Sequence, residues 1–505
     1  MKKKFLYISL AAGLMMSSCS DFLKESPTGS LTTDSNVSSK DIAQAFVNAA
    51  YSNLGTFDAS GGGWGGNNFS LVEFMTGKAD GNSQSEAFKF TNLEYDANAF
   101  YIDGWWSGMY SGIARCNLAL QKIPTITVLT DAEKANMLAE VRFMRALYYY
   151  QLVRIFGDVP KITGLITSLG EVQTAKSPVK EIYDQIIIPD LLEAEKSTLA
   201  WRDVTGRVSM GSIKTLLASV YLTYAGYPIQ AGQTAYAESA KRSKDVIEKG
   251  GYTLFKEYTD MIVPGNRNTQ EFIFQIQHAK DISNNNLTPV TLPTLRGIAS
   301  YSDEYGGLTP RKEFVESYEA GDKRAKEKQF FYTYYKGHPS DYPAGDARRD
   351  SLYLGGYYIY KYFDKAAIDN DAKADINTTV FRLADVYLMY AEASNRAEGA
   401  PNDLAIKCLN DIRSRAQLKA VTTKNVDDFE KAVWSERYFE LCFENKMWYD
   451  MIRTRKVRND KTKAWDNFVG HTTVYGKTFT EKNLLLPIPQ REINNNRNLK
   501  QNIGY

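Results

Sequence analysis

Histidine is the rarest resource of this chain: His278, His338 and His471 are all that 505 residues contain. They stand far apart in turn-like or mixed contexts, so nucleophilic catalysis of the Ser-His-Asp or Cys-His kind has few possible bases. No G-x-S-x-G elbow and no P-loop pattern is present, which removes the commonest nucleophile and phosphate cradles. Cysteine is nearly as scarce. Cys19, Cys116, Cys408 and Cys442 are scattered without C-x-x-C spacing, indicating neither a zinc site nor a disulfide framework. Charge of one sign is also missing: 61 Lys and Arg against 59 Asp and Glu leave a net +2, so no global field favours nucleic acid or an anionic surface. The densest basic run, Arg453, Arg455, Lys456 and Arg458, falls at the end of a helical stretch, where cations complement the helix dipole and a solvated end is expected. Acidic pairs are plentiful, but such a pair on a charged helix is a solvated face. The sequence therefore assigns no catalytic residue, no metal ligand and no cofactor.

Long apolar runs are absent beyond the N-terminus, and a membrane span needs ~20 such residues. The N-terminus itself reads Lys2-Lys3-Lys4, an apolar segment from Phe5 to Met16, then Ser17-Ser18-Cys19. A basic start, a short apolar core and small residues before the cut describe a secretory signal over residues 1–18. A cysteine straight after two small residues resembles the bacterial lipobox, with Met16 where Leu is commoner. Cys19 is then the lipidated new N-terminus and a membrane anchor. With 43% apolar and 24% charged residues, the remaining 19–505 can bury a substantial core.

What fills that length is helix. Glu140 to Phe156 puts Val141, Met144, Leu147, Tyr148, Gln151 and Leu152 near one face and stops at Gly157-Asp158-Val159-Pro160, an amphipathic helix with a Gly/Pro terminator. Ser177-Pro178 offers an N-cap and a first-turn proline for Val179 to Leu199, which Pro189 must kink or divide. Helices over Ser212 to Tyr224 and Tyr236 to Ile247 form a pair closing at Gly250-Gly251, and a similar pair recurs as Leu383 to Asn395 and Pro401 to Ala416. Small residues at the crossing with Tyr as packing knob suit stacked helix hairpins of the tetratricopeptide type. The period is not clean. The fold class expected is mostly α, a tetratricopeptide-like scaffold over about 40–260 and 380–460, interrupted by loop-rich inserts over about 61–101 and 284–360.

Several segments carry a family resemblance along nearly the whole chain. They include Asp21-Phe22-Leu23 with Pro27 and Thr32; Trp106 through Tyr110 to Ile113, Ala114 and Asn117; and Arg142 to Ala146 running on to Pro160. Further on come Gly206-Arg207-Val208, Arg382 to Leu388, Glu436-Arg437, Glu440-Leu441, Phe443-Glu444, Trp448, Asp450, Arg453, and Leu486 to Pro489 with Asn502 to Tyr505. In this order they resemble the SusD/RagB family of surface nutrient-binding lipoproteins of Bacteroidetes. Most of these residues read as scaffold: Glu436, Arg437, Glu440 and Glu444 at helical spacing can support one another and bridge to a neighbouring helix pair, and Trp106 reads as core.

Recognition belongs to loops on a rigid scaffold. The first insert contains Trp64 among glycines, then Asn67, Asn68, Phe69, Asp80 and Tyr95. Glycines permit tight turns that hold an indole exposed, and the amides both donate and accept hydrogen bonds. The second contains Arg296, Tyr301, Tyr305, Phe314, Tyr332, Tyr334, Tyr335 and Tyr342, stiff aromatic faces suited to the C–H faces of sugar rings. The candidate ligand residues are Trp64, Asn67, Asn68, Phe69, Asp80, Arg296, Tyr301 and Tyr305. The resemblance implies a lipid-anchored, outer-membrane, cell-surface protein that binds an oligosaccharide and passes it to a SusC-like TonB-dependent receptor, without enzymatic activity and without nucleic acid as partner. A peptide ligand, as in RagB-like members, and a glycan hydrolase are the alternatives.

Overall fold

A computed structural model describes residues 39–57, 70–168, 170–294, 296–299, 304–369 and 374–505. Cys19 lies outside them. The scaffold helices are α1 (Lys40–Tyr51), α2 (Phe100–Lys122), α3 (Asp131–Phe156), α4 (Met210–Ala225) and α5 (Gly232–Lys249), followed after a long excursion by α6 (Leu383–Glu398), α7 (Asp403–Arg415), α8 (Val426–Glu440) and α9 (Met447–Thr454). Consecutive helices pack as hairpins: α2 on α3, α4 on α5, α6 on α7. The strands are few and short. The fold is mostly α, as the periodicity predicts. Among the described residues no helix is long and apolar enough to cross a membrane.

Local chemistry sets the helix ends. α3 opens on a capping box in which the Thr130 hydroxyl accepts from Glu133 N–H at 3.2 Å and the Glu133 carboxylate accepts from Thr130 N–H at 2.8 Å, an arrangement that satisfies two orphan donors. The same helix crosses α2 at Gly112, where a Cβ would lie 2.5 Å from the Tyr148 ring. Tyr148 is the packing knob there, and its hydroxyl donates to the Ala50 carbonyl at 2.6 Å. The segment after Ser177 departs from expectation in its cap: the Asp158 carboxylate, not the Ser177 hydroxyl, accepts from Val179 N–H at 2.7 Å. It also divides as Pro189 requires, through a π-helical turn at Tyr183–Ile187 ahead of Ile188–Ala194. A wider turn accommodates the missing proline donor without ending the helix.

The excursion between α5 and α6 leaves and rejoins through one narrow neck. β2 (Phe272–Ile276) pairs antiparallel with β6 (Thr378–Arg382), from Phe272↔Arg382 to Ile276↔Thr378. Across that neck α5 and α6 pack together, so the helical stack continues past the excursion. Cys116, Cys408 and Cys442 are buried free thiols, and burial pushes the Cys442 thiol up to about 11.

A buried charge cluster locks the neck. Arg382, 1% exposed, donates to Glu271 at 2.7 Å, to Glu440 at 2.8 Å and to Glu444 at 2.8 Å. Arg415 binds Glu271 at 2.6 Å and Glu440 at 2.7 Å. Arg324 binds Asp322 at 2.7 Å, Glu436 at 2.5 Å and Glu440 at 3.1 Å. Lys361 pairs with Glu444 and Arg413 with Glu436. Burial works against the Glu440 carboxylate, yet Arg415, Arg382 and Arg324 together hold it down to about 2. The charges near the end of α8 therefore reach outward and do not pair along their helix: Arg437 goes to Asp385 and Asp450, both at 2.8 Å, and Glu444 lies in the turn beyond the helix. Replacing Arg382 by Met leaves three buried carboxylates short of a partner, and removing one member of a buried pair typically costs about 3–5 kcal/mol. Urea unfolding of Arg382→Met is expected to show that loss as a lower midpoint with an unchanged slope.

Candidate functional site

Two inserts meet at one ladder. β1 (Ala79–Gly81) pairs antiparallel with β3 (Leu308–Pro310), placing Asp80 opposite Thr309. Lys78 C=O accepts from Arg311 N–H at 2.9 Å, and the Asn82 amide donates to the Tyr305 carbonyl at 3.3 Å. β3 also lies against β5 (Leu352–Ile359), the partner of β4 (Phe331–Tyr335). Asp80, Tyr305 and the β4–β5 hairpin thus share one side of the excursion. Trp64, Asn67, Asn68, Phe69 and Tyr301 lie outside the described residues.

Each described candidate has a definite environment. The Asp80 carboxylate accepts from Arg311 at 3.2 Å on both oxygens; burial raises its pKa and Arg311 offsets only part of that. Arg311 in turn lies 4.7 Å from the Tyr475 ring centroid. Tyr305 is half-buried against the core. Arg296 is exposed, and its carbonyl accepts from the Tyr342 hydroxyl at 2.8 Å. Its guanidinium lies across Gly355, which has φ +88° and where a Cβ would come within 2.7 Å of Arg296 Nη2. The left-handed backbone there favours glycine.

The backbone at Gly297–Ala299 is held by one carboxylate. Glu304, 2% exposed, accepts from the backbone N–H groups of Gly297 at 2.8 Å, Ile298 at 2.5 Å and Ala299 at 2.7 Å. Burial raises its pKa, and the three amides oppose the rise.

The tyrosines of the second insert divide sharply. Phe314 and Tyr332 are fully buried and Tyr335 is 9% exposed, so they are core and not ligand candidates; Tyr95 of the first insert is likewise core, stacked on Phe90. Tyr334 and Tyr353 are 48% and 55% exposed, stand opposite each other across the hairpin, and hold their rings 5.1 Å apart at 45°. Tyr353 was not among the residues the sequence suggested. A signal existed in the Tyr353, Tyr357, Tyr358 cluster around Gly355-Gly356, but only pairing shows which ring faces outward.

A second buried carboxylate supports the first insert. The helix Ser70–Met75 is wholly buried, and Glu73 accepts from Asn445 N–H at 2.7 Å. This fixes a turn in which Phe443 and Asn445 both adopt left-handed φ, +59° and +55°. Burial pushes the Glu73 carboxyl up to about 7, against the Asn445 hydrogen bond and Lys361, while Glu444 pushes the same way as burial. Tyr362, Cys442 and Tyr449 face it as well. A carboxyl with a raised folded pKa stabilises the fold fully below its unfolded value near 4.5, and that contribution is lost as pH rises towards about 7. The loss is at most about 3 kcal/mol. Glu73→Gln keeps the acceptor and removes the ionisation, so its stability advantage over the parent is expected to grow between pH 5 and 8. Urea midpoints of both proteins across that range check this, and parallel profiles would contradict it.

The SusD family model matches residues 353–505, and a model described as starch-binding associating with outer membrane matches residues 21–222. A SusD superfamily protein of Parabacteroides distasonis, known from a crystal structure, is 52% identical, with a TM-score of 0.91 over 93% of this chain and 100% of that one. The chain belongs to the SusD family. A SusD-like protein of Bacteroides ovatus is 28% identical over 91% of this chain and 84% of its own length. The starch-binding protein SusD of Bacteroides thetaiotaomicron is 24% identical over 75% of this chain and 74% of its own length. Within this SusD-family chain, the matched C-terminal segment takes in nearly all of β5, β6 and the Arg382, Arg415, Glu436, Glu440 and Glu444 members of the charge cluster, while Glu271, Asp322 and Arg324 lie before it.

Proposed function

We propose that this SusD-family protein is a lipid-anchored cell-surface receptor that binds an oligosaccharide on the face where its two inserts meet and delivers it to a TonB-dependent, SusC-like outer-membrane transporter. The observation that carries the binding reading is the exposed Tyr334–Tyr353 ring pair on the hairpin, with Arg296 lying across Gly355, two residues along β5 from Tyr353. Flat rings with little side-chain entropy to lose pack on sugar C–H faces, and a nearby guanidinium reads hydroxyls. The starch-binding name of the Bacteroides thetaiotaomicron relative and the description of the N-terminal family model support a glycan as ligand. Trp64, Asn67, Asn68, Phe69 and Tyr301 are proposed to complete the face from the two loops, with Tyr305 at its floor. Asp80, committed to Arg311, positions the ladder under them. Binding without turnover is the expected activity.

Calorimetric titration with a panel of soluble α- and β-glucans tests the face. Trp64→Ala and Tyr353→Ala are each expected to lose on the order of 1–3 kcal/mol of affinity with the melting temperature nearly unchanged. Trp448→Ala, in a residue 3% exposed and packed on Phe468 and Phe479, is expected to lose several kcal/mol of stability, the usual cost of a large core cavity. Undiminished affinity in both of the first two variants would take the site elsewhere, and retention of a peptide mixture instead of any glucan would favour a RagB-like ligand.

The anchor and the partner are tested in cells. Because one acyl chain binds membranes only marginally, stable attachment is proposed to need the multiple chains of a lipoprotein N-terminus. Cys19→Ala is expected to abolish fatty-acid labelling and release the protein from the membrane fraction. The parent protein is expected to co-purify from mild detergent with a much larger β-barrel protein. Undiminished label in the variant, or only free receptor after repeated gentle extraction, would overturn the respective half of the proposal.

A further inference from the structure

One well-formed cavity among the described residues lies away from both inserts. About 410 Å³ in volume, it opens between the ends of α3, α4 and α9, the start of the Val179 segment, and the C-terminal stretch 481–503. Val153, Tyr183, Ile452, Leu484 and Leu485 supply apolar wall, and its size falls within the range of sites for small organic ligands. Two large apolar side chains stand exposed at its margin, Tyr227 at 41% and Ile503 at 88%.

Its charges are unusual for this molecule. The buried arginines of the charge clusters, Arg324, Arg382, Arg415, Arg437 and Arg453, each hold a carboxylate within 3 Å. Arg154, Lys176, Arg455 and Lys482 also line the cavity, yet none of them has an ion pair among the described residues. Arg154 is sandwiched between the rings of Tyr150 and Tyr449 at 3.8 and 3.7 Å and donates to the Gln151 amide oxygen at 2.7 Å. Lys176 donates to the Asn502 amide oxygen at 3.1 Å. Arg455 donates to the Ile452 carbonyl at 2.8 Å and lies 5.0 Å from the Tyr227 ring. Lys482 sits over the Tyr505 ring at 4.3 Å. Two carboxylates reach the same cavity, each from beyond ion-pair distance: Asp158, which accepts from Val179 N–H, acts on Lys176, and Glu481 acts on Arg455. Burial lowers the pKa of both Lys176 and Arg455, the sign of cations held partly out of water without full compensation.

We infer that this cavity is a second binding site, for a small amphipathic organic anion whose apolar body lies against the Tyr183, Ile452, Leu484 and Leu485 wall and whose acidic head meets Lys176 and Arg455. Apolar volume alone would admit a neutral hydrophobe equally well. These cations without an ion pair are what select an anion, because a charge held partly out of water without a counter-ion is unfavourable and a ligand that supplies the counter-ion recovers that cost. The site is independent of the glycan face, since no insert residue lines it.

A matched pair of fluorescent probes tests the inference on the mature protein: 1-anilinonaphthalene-8-sulfonate, and N-phenyl-1-naphthylamine, the same ring system without the sulfonate. The sulfonate is expected to bind saturably at one site per chain and at least tenfold more tightly than the neutral amine. Lys176→Gln combined with Arg455→Gln is expected to weaken the sulfonate at least tenfold while moving the amine less than twofold. Val179→Trp, which fills the cavity from its wall, is expected to abolish both. Should the double variant melt early, Lys176→Gln alone gives the same contrast at smaller amplitude. Unsaturable sulfonate binding, equal losses for both probes on charge removal, or full binding by a folded Val179→Trp protein would each overturn the inference.

Discussion

The structure hangs on the guanidinium of Arg382. It sits at the end of β6, where the excursion rejoins the helices, and it joins Glu271 before β2 to Glu440, the last residue of α8, and to Glu444 in the turn beyond it. Around it Arg324, Arg413, Arg415 and Lys361 face Asp322, Glu271, Glu436, Glu440 and Glu444, a buried group of five cations and five carboxylates. The neck ladder is only five residues a side with two register shifts, and a two-stranded ribbon of that size is marginal by itself. Apolar packing would hold the excursion to the helices but tolerate sliding. Forked guanidinium contacts fix distance and orientation together, and the pairing of each buried cation with at least one carboxylate spares the cluster the cost of an uncompensated buried ion.

That fixed neck is what allows short pieces of irregular chain to hold a shape at the recognition face. Lys361 reaches from just beyond β5 into the cluster, so the hairpin carrying Tyr334 and Tyr353 is tied to the scaffold a few residues from its exposed rings. Glu304 gathers three amides of the Arg296–Tyr305 loop, and Glu73 clamps the 443–445 turn from the base of the first insert. In each case a buried carboxylate holds a turn of backbone by its N–H groups. Burial raises the pKa of both Glu304 and Glu73, so the devices that order the face are themselves costly and stay in place because the surrounding backbone supplies their partners.

Helices were legible because they advertise themselves locally. Glycine stops and apolar spacing gave the bodies of α3 to α7, though α3 begins nine residues ahead of the Glu140 start that spacing suggests, and spacing alone put Tyr148 on the packed face. The charge cluster was half legible: Glu436, Glu440 and Glu444 stood out as a charged series able to support one another and bridge to a neighbouring helix pair, but their partners Arg324, Arg382 and Arg415 lie from 25 to 112 residues away, and spacing does not identify them. The tyrosines show the limit most clearly. Along β4 the residues Phe331 to Tyr335 run buried, buried, half-buried, exposed, buried, because the register shifts between Tyr332 and Tyr334. A strict two-residue alternation would put Tyr332 and Tyr334 on the same face, so no pattern in this segment could separate the core ring from the exposed one.

The basic run at 453–458 carries the same lesson from composition to geometry. As a string it reads as one solvated helix end. Thr454 ends α9 and Arg455 turns left-handed at φ +56°, so four neighbouring cations leave in different directions. Arg453 goes inward to Glu392 at 2.5 Å. Arg455 turns to the cavity and the Tyr227 ring. Lys456 stays at the surface on Asn467 at 2.7 Å, and Arg458 is buried against Phe439 at 5.0 Å. A single left-handed residue divides a patch that would otherwise act as one field into a structural ion pair, a cavity-lining cation, a surface contact and a core contact. Charge density in a sequence therefore measures what is available to a site, and the backbone at the helix end decides which of those charges reaches it.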